Sequence, residues 1–432
     1  VIRLSGPQCL EILRALVHDE HFTPEPNRVA LKRILRESGE PLDHTLLSYF
    51  KAPHSFTGED MVEISCHGSP IILRQLLDLI QIRDGRLADP GEFTLRACKN
   101  GKMNLSQAEA VRDLINAQTD AAAVQAARQL RGELSNALQP AKQLLIQAIV
   151  RLESALEFVE DDLPEIEGRE LEAHIGNVLA VIKDLARTYA TGHLLRDGLK
   201  VAIIGRPNVG KSSVFNRLLG LDRAIVTEIA GTTRDSITES ISLRGIPVSL
   251  TDTAGMRGAG DKIEQIGVER THRAIADADL LVVVIDGSTV LTPEDLAVLS
   301  QTTEARHIVA VNKSDLPKVP GLDHFDVASQ VVHVSALTSE GLDDLAAAIL
   351  QPFGSVDSEG VGLLITDSRH YDLLRRTQNS LENALARLKE GASEELTLVG
   401  LHNGLSFLGE ITGETTTEHI LSEIFSTFCI GK

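Results

Sequence analysis

The octapeptide Gly205-Arg-Pro-Asn-Val-Gly-Lys-Ser212 constrains this chain more than any other stretch. It directly follows an apolar run, Val201–Ile204, and directly precedes Ser213–Leu219, which reads as a helix. Strand, glycine-rich turn and helix in that order is the setting a phosphate-binding loop needs. The glycines let backbone N–H groups close around phosphate oxygens. Lys211 can reach the β- and γ-phosphates, the Ser212 hydroxyl can ligate Mg²⁺, and the helix N-terminus adds partial positive charge.

Further motifs follow in order and point to guanine. Asp252-Thr253-Ala254-Gly255 comes after the strand-like Val248–Thr251; an Asp there can hold Mg²⁺ through water, and the Gly admits the γ-phosphate. Asn312-Lys313-Ser314-Asp315 ends a second apolar run, His307–Val311. Asp315 can accept hydrogen bonds from the guanine N1–H and amino group, whereas adenine would turn an acceptor toward that carboxylate. Ser335-Ala336-Leu337 follows Val331–Val334 and is placed to close over the base. Gly231-Thr-Thr-Arg-Asp235 falls where a switch loop belongs.

Two or three domains are expected of 432 residues. Cys9, Cys66, Cys98 and Cys429 lack metal-ligand spacing and read as reduced thiols of a cytoplasmic protein. No apolar run is long enough for a membrane span. The chain opens on Val1, already inside a strand-like run, so a short preceding piece is expected. A net charge of −19 disfavours general nucleic-acid binding and leaves any RNA contact to a local basic patch or to a partner.

Residues 1–104 read as an α+β domain, with strands at Leu46–Phe50 and Met61–Ser65 and a helix at Pro70–Ile80. From Ser106 the periodicity is helical, with Ser106-Gln-Ala-Glu109 as a capping-box candidate and Pro140 as a break before the helix ends near Glu157. The acidic stretch Glu157–Glu170 reads as a linker, and a further helix as Leu171–Leu195. Helices resume at Ser368–Lys389, Leu396–Leu408 and Ile420–Phe428. The expected architecture is multidomain α/β and α. An N-terminal α+β domain (1–104) precedes a discontinuous helical domain (105–196 and 354–432), into which a Ras-like P-loop GTPase domain (197–353) is inserted.

Together with Ser55-Phe-Thr-Gly-Glu-Asp60, Pro90-Gly-Glu-Phe93, Gln107-Ala-Glu-Ala110 and the terminal Cys429-Ile-Gly-Lys432, this arrangement resembles the MnmE (TrmE) family of tRNA-modification GTPases over essentially the whole chain. The resemblance implies a homodimer joined through the N-terminal domain, working with an MnmG-like FAD protein in a heterotetramer. The implied reaction adds an aminomethyl-type group, carboxymethylaminomethyl, at C5 of the wobble uridine of certain tRNAs. Its one-carbon unit would come from 5-formyltetrahydrofolate or a related reduced folate. Era- and Der-like regulatory or ribosome-assembly GTPases share the nucleotide motifs but append basic RNA-binding domains; the parts appended here are helical and acidic.

The resemblance also assigns residues. GTP would be held by Asn208, Val209, Gly210, Lys211, Ser212 and Ser213, by Thr227, Glu228, Ile229, Ala230, Gly231, Thr232 and Thr233, and by the motifs at 252–255, 312–315 and 335–337. Mg²⁺ would take Ser212 and Thr233. Met256 stands where Ras-like GTPases place a water-orienting Gln, and a thioether cannot donate a hydrogen bond. The family's catalytic Glu matches Glu264, which by itself could equally be a solvated helix residue. Arg206, Arg234 and Arg257 lie near the motifs, yet none reads as an arginine finger; the family uses K⁺, matched by Asn208, Thr227, Ile229 and Thr232. Arg3, Glu63, Lys102 and Lys432 match folate contacts. Cys429 is either a packed thiol or a reactive one.

Overall fold

The computed structural model describes residues 1–157, 165–221, 237–252, 275–303, 305–319, 330–353, 362–391, 394–415, 421, 424–428 and 431. The chain divides into two compact units, one of Val1–Arg112, Leu130–Ser135 and Leu408–Lys432, the other of Asp113–Gln129 and Asn136–Phe407.

The first unit is built on β1 (Ile2–Ser5), α1 (Cys9–Val17), β2 (Val29–Leu35), β3 (Pro41–Phe50), β4 (Met61–Ser65), α2 (Pro70–Gln81) and α3 (Glu92–Lys99). The four strands form an antiparallel sheet in the order β1-β4-β3-β2. Alternation along β3 turns Asp43, Thr45, Leu47 and Tyr49 inward. Leu47, Tyr49, Val62 and Ile64 pack with Leu13 and Leu16 of α1 and Leu76 and Ile80 of α2, so the helices cover one sheet face. The expected strands and the Pro-initiated α2 are all present.

The helical segments differ from expectation in detail. The single helix expected up to Glu157 is three: α4 (Leu105–Asn116), α5 (Asp120–Leu130) and α6 (Glu133–Glu157). The N-terminal box of α4 is formed by Asn104 and Gln107, not by Ser106 and Glu109. The Gln107 N–H donates to Asn104 Oδ1 at 3.0 Å and the Asn104 N–H to Gln107 Oε1 at 3.0 Å. Pro140 lies inside α6 and does not end it. Leu134, Leu138, Ala141, Leu145, Ala148 and Leu152 continue a buried stripe across it. Burying the four leucines of that stripe, at roughly 1.5–3 kcal/mol each, outweighs the ~3 kcal/mol a helical proline costs.

Helix α7 (Glu165–Arg187) takes in the end of the stretch expected as a linker, and α8 (Tyr189–Asp197) follows after an interruption at Thr188. The Thr188 hydroxyl donates to the Leu185 carbonyl and accepts the Ile365 N–H.

The nucleotide-domain segment then runs β5 (Leu199–Ile204), α9 (Lys211–Leu221), β6 (Ile237–Leu243), β7 (Ile246–Asp252), β8 (Leu280–Asp286), α10 (Pro293–Gln301), β9 (His307–Asn312), β10 (Gln330–His333) and α11 (Leu342–Leu350). Its sheet has the order β10-β9-β8-β5-β7-β6, parallel except for the β6–β7 hairpin. Arg244 and Gly245, both at positive φ, make the tight hairpin turn. Every residue of β8 is buried, as a central parallel strand covered on both faces requires. Helices α12 (Ser368–Lys389) and α13 (Glu394–Thr412) complete the described elements, with α12 packed along α7.

The chain segments before and after the six-stranded sheet are pinned to neighbouring helices. Gln125 of α5 donates its amide to the Gly362 carbonyl and accepts the Leu364 N–H. Half-buried Arg196, near the end of α8, bridges Asp113 at 3.2 Å and Asp367, the N-cap of α12, at 2.6 Å. No helix among the described residues is long and apolar enough to cross a membrane.

Candidate nucleotide site

In open parallel sheets ligands bind beyond the carboxyl ends of the strands, where strand order reverses. Here that point is the end of β5, flanked by β7 and β8, and the glycine-rich loop begins there. Gly205 has φ 149°, and a Cβ on it would run into the Val284 carbonyl; Gly210 has φ 96°, and a Cβ would run into the Asn312 amide. These two close approaches explain why the loop needs glycine at both places. Asn208, φ 64°, also takes a left-handed backbone, which Asn tolerates better than most residues.

The loop closes on itself through Lys211, whose ammonium donates to the Arg206 carbonyl at 2.7 Å. The Ser212 hydroxyl, in the first turn of α9, donates to Asp252 Oδ2 at 2.7 Å. Asp252 is only 2% exposed, so a hydroxyl and a buried carboxylate present oxygens to one point beside the loop. Two hard oxygen donors at one point suit Mg²⁺.

The base side of the site hangs on Asn312, which is also 2% exposed. Its amide nitrogen donates to the Val209 carbonyl at 2.8 Å, and its amide oxygen accepts the Ala336 N–H at 3.0 Å. One side chain thereby joins the phosphate loop, the end of β9 and the loop after β10. The Ser335 hydroxyl donates to Asp315 Oδ1 at 2.6 Å, fixing a carboxylate whose exposed position leaves it able to accept further hydrogen bonds. Lys313, φ 65°, sends its ammonium to Asp286 Oδ2 at 2.6 Å. Burial alone would raise the Asp286 pKa, but hydrogen bonds from Lys313 and Ser288 outweigh it and hold the carboxyl below its ordinary range. Leu337, the last residue of its motif, is 73% exposed.

Some of these fasteners were not singled out from sequence. Asp286 ends an apolar strand at the carboxyl edge of the sheet, a signal that could have marked it. Arg217 donates to the Ala336 and Leu337 carbonyls, tying α9 to the base loop, and nothing local in the sequence announces that. Arg206 donates to both Asp295 oxygens at 3.0 Å and to the Thr289 hydroxyl. Its guanidinium is thus committed to a structural pair.

Thr227 to Thr233, Thr253 to Gly255, Arg234, Met256, Arg257, Glu264, Cys429 and Lys432 lie outside the described residues. Burial pushes the Cys9 and Cys98 thiols up to about 12, which keeps them protonated. In the first unit, Arg3 and Glu63 face each other across β1 and β4, and the Arg3 Nε donates to Glu63 Oε1 at 2.7 Å. Lys102 donates to the Pro53 carbonyl at 3.0 Å, beside the loop that carries Ser55–Asp60. That loop is cross-braced: the Ser5 hydroxyl and Arg96 both donate to Glu59, and the Asn100 amide donates to the Thr57 carbonyl.

The parallel sheet with its glycine loop, Lys211–Ser212–Asp252 corner and Asn312 clasp defines a P-loop nucleotide-binding protein with a guanine-type base loop. The family model "MnmE helical domain" matches residues 105–429, and "GTP-binding protein TrmE N-terminus" matches residues 1–102. The chain belongs to the MnmE family. A protein of Aquifex aeolicus (strain VF5) named "tRNA modification GTPase MnmE" is 43% identical over all of this chain and 96% of its own length. One of the same name from Koribacter versatilis (strain Ellin345) is 42% identical, again over all of this chain and 96% of its own. Among solved structures, the G domain of the T. maritima FeoB iron transporter is 27% identical over 35% of this chain and 97% of that one, with a TM-score of 0.27, too slight a likeness in shape to build on.

Proposed function

We propose that this chain hydrolyses GTP as one component of a complex that installs a carboxymethylaminomethyl-type group at C5 of the wobble uridine of tRNA. The observation that carries the nucleotide half is the Asn312 clasp, which sets Asp315 and Ser335 against the phosphate loop. The tRNA half is supported by family membership and by relatives named tRNA modification GTPase.

In this reading the Lys211 ammonium leaves the Arg206 carbonyl for the β- and γ-phosphate oxygens. Ser212, Thr233 and Asp252 would hold Mg²⁺. Bound Mg²⁺ supplies neutralisation of the phosphate charge. Glu264 takes a proton from the attacking water, whose oxygen bonds to γ-phosphorus while the bridging P–O bond to the β-phosphate breaks. The Arg206 guanidinium is engaged with Asp295, which favours an alkali cation over that arginine for the remaining charge. Asn208, Thr227, Ile229 and Thr232 would hold K⁺ there.

The remaining parts of the reading are the three-domain division, a homodimer through residues 1–104, an MnmG-like FAD partner and a cytoplasmic location. A reduced folate would use Arg3, Glu63, Lys102 and Lys432. A pterin edge would compete with Arg3 for the Glu63 carboxylate.

Two measurements test the two halves. Nucleotide affinity is expected to favour GTP over ATP strongly in the wild type, and Asp315→Asn to shift preference toward xanthine nucleotides; equal GTP and ATP affinities would overturn the guanine half. Wobble nucleosides of tRNA from cells lacking the protein are expected to lose the C5 group and regain it on complementation. An unchanged nucleoside profile would overturn the tRNA half.

A further inference from the structure

A cleft of about 350 Å³ opens between α7 and α12, lined by Lys183, Ala186, Arg187, Tyr371, Arg375 and Gln378. Three cations on its rim stand out on a chain whose net charge is −19. The Arg375 guanidinium donates to the Gln378 amide oxygen at 2.8 Å, which orients it without neutralising it. Lys183 pairs with Glu382 at 2.8 Å, with side-chain exposures of 40% and 41%. Arg187 pairs with Asp184 at 3.1 Å, with exposures of 78% and 73%. Exposed pairs of this kind are weak, so an incoming anion can replace either carboxylate at little cost. The wall between the cations is aromatic. Tyr371 is backed by Tyr189 at 4.1 Å between ring centroids and 8° between planes, and Tyr189 in turn stacks on His193.

Cations spaced around a cleft with a rigid ring in its wall match the chemistry of an RNA strand, whose phosphates take the cations and whose unstacked bases take the ring. A small anion would need only one or two of these groups and no aromatic surface. An acidic surface elsewhere on the chain repels RNA, so such a cleft concentrates whatever attraction there is.

We propose that the α7–α12 cleft is where this chain holds the sugar-phosphate backbone of its tRNA substrate, with Lys183, Arg187 and Arg375 on phosphates and Tyr371 against a base. The assignment rests on the tRNA-modifying reading of the chain. None of the four residues belongs to the nucleotide site, so GTP hydrolysis serves as the folding control.

The test is binding of fluorescein-labelled tRNA to the full chain by anisotropy over a range of KCl concentrations, for wild type, Lys183→Gln/Arg375→Gln, Tyr371→Ala and Arg387→Gln. Arg387 lies on α12 but does not line the cleft. Expected are a loss of about tenfold or more for the double variant and a log–log salt slope shallower by about 1.5. Tyr371→Ala is expected to lose about fivefold or more with the slope unchanged, and Arg387→Gln to stay within about twofold, all with GTP hydrolysis intact. Unchanged tRNA affinity in the double variant overturns the proposal, as does a wild type that binds no tRNA. So does displacement of tRNA by inorganic phosphate beyond the effect of chloride at equal ionic strength, which would make the cleft a small-anion site. Loss of binding to a poly-glutamate peptide, with tRNA binding kept, would make it a protein-docking surface and equally overturn it. Wobble-nucleoside analysis of cells lacking the protein decides the underlying reading separately.

Discussion

Glu92, within the Pro90–Phe93 mark of the family, accepts hydrogen bonds from Arg86, the Asp89 N–H and Arg96. Chiefly through Arg86, its carboxyl is held down to about 2 from an ordinary 4.5. A carboxyl whose pKa falls on folding stabilises the fold above its unfolded pKa, and the contribution fades as pH drops toward the folded value. Glu92→Gln is therefore expected to cost about 1–2 kcal/mol at neutral pH, after allowance for solvent screening. The gap to wild type should narrow as pH falls from 4.5 toward 2. Urea unfolding between neutral and acidic pH checks this, and a gap independent of pH would show that the carboxylate charge is not what matters. At this scale much of the site was legible, because Lys211, Ser212, Asp252 and Asp315 belong to motifs whose spacing carries their geometry. The double duty of Asn312 was not, because its partners Val209 and Ala336 stand 103 and 24 residues away and meet it only in the finished sheet.

Elements were legible where apolar periodicity was strong and unpunctuated. Helix α12 runs over Ser368–Lys389 as expected, and the strand before each nucleotide motif is present. Punctuation was harder, since both Asn104 and Ser106 can cap a helix and Pro140 normally ends one. The first choice was settled by Gln107, which reaches back to the Asn104 N–H while its own N–H is taken by Asn104. Asn104 also donates to the Ser135 hydroxyl at 2.7 Å. Replacing Asn104 by Ala is expected to cost about 1–2 kcal/mol, and by Ser only a few tenths of that kind of cap energy. Thermal unfolding of both variants distinguishes them. Equal losses would mean that the Ser135 contact, not the cap, is what Asn104 provides.

At the scale of the molecule, the return of helices after the nucleotide motifs was legible from their periodicity, whereas the ties that join α5 and α8 to the chain at 362–367 were not, since their partners stand far apart in sequence. Gln125 holds both the carbonyl of Gly362 and the N–H of Leu364, and Thr188 holds the N–H of Ile365. Gln125→Ala is expected to speed hydrogen exchange at the Leu364 amide by about tenfold, the worth of one buried hydrogen bond, without changing nucleotide affinity. An unchanged exchange rate would show that the segment at 362–367 is held without the Gln125 contact. The Asn312 clasp has a consequence for the order in which the molecule is made. On the ribosome the phosphate loop emerges early, but the amide that completes it has nothing to grip on its base side until Ala336 has followed. A nascent chain can therefore carry the whole glycine-rich loop and still lack a finished base loop, because the Asn312 clasp closes only when the segment after β10 has been made.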